Sequence, residues 1–133
     1  MLKPNKLANK NFLSSLDTSI DEFLHILEIA KNFKNKNLNI EVKDKVLGLI
    51  FDKSSTRTRV SFQVAMSRLG GTTVDLNPTT SQIGRGEPIR DTARVLSRYC
   101  DVLAIRTFKQ SVLEEYAKSV SYTHLTLPTK RIV

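Results

Sequence analysis

The chain has 133 residues, a formal net charge of +8 and a pI near 9.8, with 40% hydrophobic and 26% charged residues. This length suits one domain with its own core, and the composition is ordinary for a globular protein. No apolar run approaches the roughly 20 residues that span a bilayer, and Cys100 is the only cysteine, which excludes an internal disulfide. The N-terminus has no apolar signal-peptide core, so we expect a cytoplasmic protein.

The excess of positive charge does not take the form that nucleic-acid binding favours. The lysines are scattered, the arginines occur in short motifs, and no basic patch is interleaved with aromatic residues. We therefore expect neither a nucleic acid nor a membrane as partner. A small anionic metabolite fits this charge better.

The first half of the chain predicts a helix, a buried strand and a second helix. Ser19–Glu22 has the S-x-x-E form of a capping box, and the apolar spacing after it predicts an amphipathic helix. The apolar run Val46–Phe51 predicts a strand that is buried on both faces. A helical pattern begins at about Thr56 and ends at Gly70-Gly71.

The second half repeats the pattern. A strand is predicted at Thr72–Leu76, a turn-rich loop at 77–87, and a helix after Pro88. A third strand is predicted at Asp101–Arg106 and a third crossover helix at Ser111–Lys118. This alternation predicts the α/β class, with a parallel sheet that has helices on both faces.

Polar segments follow each predicted strand. In such sheets ligands bind beyond the carboxyl ends of the strands. We therefore expect Ser54–Arg59, the 77–87 loop and Arg106–Lys109 to converge at one edge of the sheet.

The segment Ser55–Arg59 reads Ser-Thr-Arg-Thr-Arg and lies between a predicted strand and a predicted helix. The free N–H groups and the dipole of a helix N-terminus attract anions, and arginine suits phosphate oxygens. These features favour a phosphate site. A plain helix cap with solvated arginines is the alternative that spacing alone leaves open.

Three segments carry a family resemblance. Phe51–Phe62, FDKSSTRTRVSF, resembles the signature of the aspartate and ornithine carbamoyltransferase family. Ser81–Leu96, SQIGRGEPIRDTARVL, and Ile105–Phe108, IRTF, are similar to its ornithine branch. The aspartate branch typically has a proline where this chain has Ser54. The resemblance covers about residues 10–119.

The resemblance implies transfer of a carbamoyl group from carbamoyl phosphate to the δ-amine of ornithine, giving citrulline and phosphate in the arginine pathway. It implies no metal and no organic cofactor, and a homotrimer whose subunits share active sites. Arg57 and Arg106 would act in catalysis, and Gln82 would reach the site of a neighbouring subunit. The implied carbamoyl-phosphate residues are Ser55, Thr56, Arg57, Thr58, Gln82 and Arg106.

The chain departs from the family pattern near its end. After Ser119 we expect a further strand and a His-Pro-x-Gln loop, but the sequence continues as SYTHLTLPTKRIV. We therefore expect an incomplete carbamoyl-phosphate-binding domain at 1–120 and a non-family tail at 121–133, an artefact of the source sequence. Such a fragment should be inactive alone and should expose apolar surface.

Several alternatives stay open at this point. The acceptor could be acetylornithine, putrescine or aspartate, or the chain could be a non-catalytic anion-binding module. Arg59 could contact the ligand or form an internal ion pair, for which Glu87 is the partner that the sequence suggests.

Overall fold

The computed structural model describes residues 11–79 and 85–120 and the backbone of 125–128. Gln82 and His124 lie outside the described residues. After a 3-10 turn at Ser15–Asp17, the elements in chain order are α1 (Ile20–Lys34), β1 (Val46–Phe51), α2 (Thr56–Arg68), β2 (Thr72–Leu76), α3 (Ile89–Tyr99), β3 (Val102–Arg106), α4 (Gln110–Ser119) and β4 (Leu125–Pro128).

The four strands form one parallel sheet in the order β2-β1-β3-β4. The predicted parallel sheet is confirmed, and β1 and β2 have their predicted bounds. The strand β4 lies within the segment 121–133 and pairs with β3. The sequence did not predict this strand. The proposed domain boundary at residue 120 stays a prediction.

The residues of β1 alternate between two hydrophobic clusters, one on each face of the sheet. Leu47, Leu49 and Phe51 are buried and pack against the partly buried Phe62 and Met66 of α2. On the opposite face Ile50 packs with buried side chains of β3, α3 and α4, which are Ala93, Leu103, Ile105, Leu113 and Tyr116. Because a strand buried on both faces cannot alternate apolar and polar residues, its sequence is continuously apolar. The expectation of helices on both faces is confirmed.

The helix α2 ends in a Schellman motif. The N–H of Gly70 donates to Ser67 O at 3.2 Å, and the N–H of Gly71 donates to Met66 O at 2.9 Å. Gly70 has φ +81°, the left-handed conformation that glycine adopts without a Cβ clash. The Gly-Gly pair therefore ends the helix as the sequence predicted.

The helix α1 has the predicted cap but an uncovered apolar face. Ser19 Oγ accepts from Glu22 N at 3.2 Å, and Glu22 Oε2 accepts from Ser19 N at 2.9 Å, which confirms the capping box. No residue of α1 is buried, and Ile20 and Leu24 are exposed. No helix in the described part of the chain has the length and apolar character that crossing a bilayer requires.

Gly48 of β1 faces Leu103 and Cys100, two members of the hydrophobic cluster that contains Ile50. A Cβ at this position would lie 2.7 Å from Leu103 Cδ2 and 3.1 Å from Cys100 Sγ. Both neighbours are buried, so room for the new methyl group must come from a shift of core side chains. We predict that Gly48→Ala lowers the free energy of unfolding by about 1–3 kcal/mol, the usual cost of overpacking a core. Urea denaturation measures this change.

A second substitution tests the cause of that loss. Leu103→Ala removes the Cδ2 atom that the new methyl group would meet, so Gly48→Ala should cost less in that background than alone. Equal costs in the two backgrounds would contradict the steric explanation.

Tyr116 of α4 is a buried side chain close to acidic groups. Burial, and after it the negative charges of Asp52, Glu87 and Glu115, together raise the pKa of Tyr116 to about 12. Because the phenolate is disfavoured in the folded chain, raising the pH should destabilise the fold.

We predict that the free energy of unfolding falls between pH 10 and pH 12 because of Tyr116. Below pH 10 the phenol is protonated in both states; above it the unfolded chain loses the proton first, which costs roughly 1.4 kcal/mol per pH unit. Urea denaturation at several pH values should give a shallower fall for Tyr116→Phe. The control is Tyr99→Phe, because Tyr99 is 73% exposed and its variant should keep the wild-type slope. Equal slopes in both variants would contradict the prediction.

Candidate functional site

The carboxyl ends of β1, β2 and β3 meet at one edge of the sheet, as parallel strands require. β1 lies between the other two: the chain leaves it for β2 through α2 and crosses to β3 on the other side through α3. This arrangement is a topological switch point, the place where open α/β sheets bind ligands. The segments at this edge are 52–55, 77–79 and 107–109.

The first of these segments leads into an uncapped helix N-terminus. Ser55 is extended, with φ −154° and ψ 90°, and its side chain forms no cap hydrogen bond. The first turn of α2 contains no acidic residue, whereas α1 satisfies its own N-terminus with Ser19 and Glu22. The free N–H groups and the positive dipole end of α2 are therefore available to an anion.

The predicted hydroxyl and arginine residues lie in this turn. Ser55 precedes the helix, and Thr56, Arg57 and Thr58 are its first three residues. The turn is closed by the N–H of Arg59, which donates to Ser55 O at 3.1 Å. Arg57 is exposed and Thr58 is partly exposed. The turn thus combines backbone donors, hydroxyl groups and a guanidinium that solvent can reach.

Arg106 is brought to the same edge by the strand register. It is the last residue of β3 and pairs in register with Phe51, the last residue of β1. Its carbonyl oxygen accepts from Asp52 N at 2.8 Å, which ties the two strand ends together. Of the predicted site residues, only Gln82 lies outside the described part of the chain.

A contact that the sequence did not predict joins the segments after β1 and β3. Lys53 Nζ lies 5.9 Å from the centroid of the Phe108 ring, within the range of a cation–π interaction. Both residues follow strands that turned out to be neighbours. The signal in the sequence was only that each residue follows a predicted strand, which does not indicate which strands are adjacent.

Arg59 forms an internal ion pair, but the suggested partner, Glu87, was wrong. Arg59 Nε lies 3.4 Å from Asp75 Oδ2, and the guanidinium carbon lies 5.5 Å from the Phe51 ring centroid. Glu87 Oε2 instead accepts from Thr92 Oγ1 at 2.9 Å. The correction follows from the sheet order, because β2 lies directly beside β1 and carries Asp75 to the side of α2.

The arrangement can bind an oxyanion and stabilise negative charge. Backbone N–H groups, hydroxyl groups and two arginines supply hydrogen-bond donors at this edge, and preorganised donors of this kind stabilise charge that develops on oxygen. Within the described ranges, no group of three or more His, Cys, Asp or Glu residues could hold a metal ion.

Comparison with known proteins identifies a family that matches most of the chain. The family described as aspartate/ornithine carbamoyltransferase, carbamoyl-P binding domain, matches residues 10–127. An ornithine carbamoyltransferase of Prochlorococcus marinus is 80% identical over 118 residues, which are 89% of this chain and 38% of that protein. The chain therefore spans less than half the length of this relative.

Solved structures share the fold. The ornithine carbamoyltransferase of Gloeobacter violaceus is 45% identical with a TM-score of 0.76, over 89% of this chain and 38% of that one. The aspartate transcarbamoylase of Trypanosoma cruzi in complex with carbamoyl phosphate is 28% identical with a TM-score of 0.82, over 96% and 44% of the two chains. Because the family match takes in most of the sequence, including the Ser55–Arg59 turn and Arg106, the chain belongs to the aspartate/ornithine carbamoyltransferase family through its carbamoyl-phosphate-binding domain.

Proposed function

We propose that this chain binds carbamoyl phosphate and that the longer protein transfers its carbamoyl group to ornithine. The observation that carries the proposal is the uncapped N-terminus of α2, which lies at the same sheet edge as Arg106 and has no acidic residue in its first turn. The proposed binding residues are Ser55, Thr56, Arg57, Thr58 and Arg106, with Gln82 contributed by a neighbouring subunit.

The phosphate group would lie against the first turn of α2. Its oxygens would accept from backbone N–H groups and from the hydroxyls of Ser55, Thr56 and Thr58, while Arg57 supplies a charged fork. Charged donors strengthen such hydrogen bonds, and the helix dipole adds to the attraction. A homologous aspartate transcarbamoylase has been solved in complex with carbamoyl phosphate, which supports carbamoyl phosphate as the ligand of this chain.

The remaining residues would act on the carbamoyl group. The neutral δ-amine of ornithine attacks the carbamoyl carbon and forms the new C–N bond. The C–O bond to phosphate then breaks, and the proton that the amine loses ends on the departing phosphate. Negative charge develops on the carbonyl oxygen and then on the departing phosphate. Arg106 would stabilise the first and Arg57 the second, and holding both reactants in line lowers the barrier further.

Sequence identity favours ornithine as the acceptor. The chain is 80% identical to an ornithine carbamoyltransferase and 28% identical to an aspartate transcarbamoylase. Acetylornithine, putrescine and aspartate are the alternatives that assay of the longer protein distinguishes. We further propose that this protein is a cytoplasmic homotrimer of arginine biosynthesis and that the chain alone binds the anion without turnover.

We predict that carbamoyl phosphate raises the melting temperature of the chain. Ligand at about 100 times its Kd should add about 2.7 kcal/mol of stability, which raises the midpoint by several degrees in a chain of this size. Arg57→Ala should remove most of this rise, because the guanidinium contacts the phosphate. Differential scanning calorimetry with and without ligand measures the effect.

The matched control is Arg68→Ala, which removes an arginine from the last turn of the same helix. It changes the net charge equally but lies far along the helix from the proposed site, so it should keep the wild-type rise. A full rise in Arg57→Ala would exclude Arg57 from the phosphate site. A loss of the rise in both variants would indicate attraction by overall charge alone.

A further inference from the structure

Arg59 makes three contacts, one within the candidate phosphate-binding turn and two with the sheet. Its backbone N–H donates to Ser55 O at 3.1 Å and closes the turn. Its guanidinium carbon lies 5.5 Å from the centroid of Phe51, the last residue of β1. Its Nε lies 3.4 Å from Asp75 Oδ2 on β2. One side chain therefore links the start of α2 to two strands.

The contact with Asp75 depends on charge more than on a hydrogen bond. Nε is buried and finds no acceptor in hydrogen-bond geometry among the described residues, although Oδ2 is only 3.4 Å away. The short distance and the absence of a hydrogen bond agree if the N–H bond does not point at the oxygen. The side chains of Arg59 and Asp75 are only 28% and 31% exposed, so solvent screens the attraction incompletely.

Asp75 also lies at the base of the next segment of the sheet edge. It precedes Leu76, the last residue of β2, after which segment 77–79 follows at the sheet edge. The ion pair therefore holds the first turn of α2 in a fixed relation to the carboxyl end of β2. Neither side chain has to contact a bound anion to do this.

We propose that Arg59 and Asp75 are a positioning pair for the anion site, holding the Ser55–Thr58 turn in the orientation in which its N–H groups and Arg57 meet a phosphate. The proposal rests on the proposed function of that turn. Arg59 and Asp75 would affect anion binding by orienting the turn and not by contacting the anion.

The direction in which Asp75→Asn changes the affinity for inorganic phosphate tests this proposal. Removal of a negative charge near the site should, through electrostatics alone, make inorganic phosphate bind more tightly. Loss of positioning should make it bind more weakly, and we expect a loss of about threefold or more, as for residues coupled by direct contact. Titration of the chain with inorganic phosphate at constant ionic strength, followed by NMR chemical shifts, measures the affinity.

Two further variants isolate the pair. The double variant Arg59→Gln with Asp75→Asn should bind phosphate no more weakly than Arg59→Gln alone, because the pair is already broken. The control is Lys45→Gln, which breaks a 3.1 Å ion pair with Asp101 at the amino ends of β1 and β3, the opposite edge of the sheet. This control should keep wild-type affinity.

A measurement without ligand separates this inference from the proposed function. Backbone NMR order parameters of Thr56, Arg57 and Thr58 should fall in Asp75→Asn and Arg59→Gln but not in Lys45→Gln. Unchanged order parameters, or tighter phosphate binding by Asp75→Asn, would overturn the positioning role. If the order parameters fall but the wild-type chain binds no phosphate, the positioning of the turn is supported and the proposed function fails.

Discussion

The burial of β1 on both faces is the constraint on which the rest of the fold depends. Leu47, Leu49 and Phe51 pack toward α2, while Ile50 packs toward α3 and α4. A slip of one residue would exchange the two faces and place each set against the wrong helix, so the register with β2 and β3 is fixed. The position of Phe51, where the core ends, then determines where the polar edge of the sheet begins.

Differences in local chemistry give the N-termini of α1 and α2 different roles. The N-terminus of α1 is satisfied by Ser19 and Glu22, so it has no use for an external anion. The N-terminus of α2 has neither a side-chain cap nor an acid in its first turn. A helix that leaves its own donors free at a ligand-binding edge gives up some local stability, and a bound phosphate would restore it.

The proposed chemistry needs that turn to be rigid, because preorganised donors stabilise developing charge without reorganising during the reaction. The helix itself supplies only part of this rigidity, because the N–H of Arg59 closes the turn on Ser55 O but the N–H groups of the first residues have no intrahelical acceptor. The sheet supplies further support, because the guanidinium of Arg59 lies over the Phe51 ring and beside the Asp75 carboxylate. The hydrophobic core and the proposed anion site thus meet at one arginine.

The features that depend on neighbouring residues could be predicted from the sequence alone: the bounds of β1 and β2, the capping box of α1, the Gly-Gly end of α2 and the position of Ser55–Arg59 between a strand and a helix. The pairing of Arg59 with Asp75, and not with Glu87, depends on how distant segments pack. Asp75 is in register with Leu49, and neighbouring residues in register share a face of the sheet, which here is the face of α2. The same holds for Lys53 and Phe108, whose contact requires β1 and β3 to be neighbours. Periodicity and capping act within a few residues of the chain, whereas strand order and register arise only when distant segments pack.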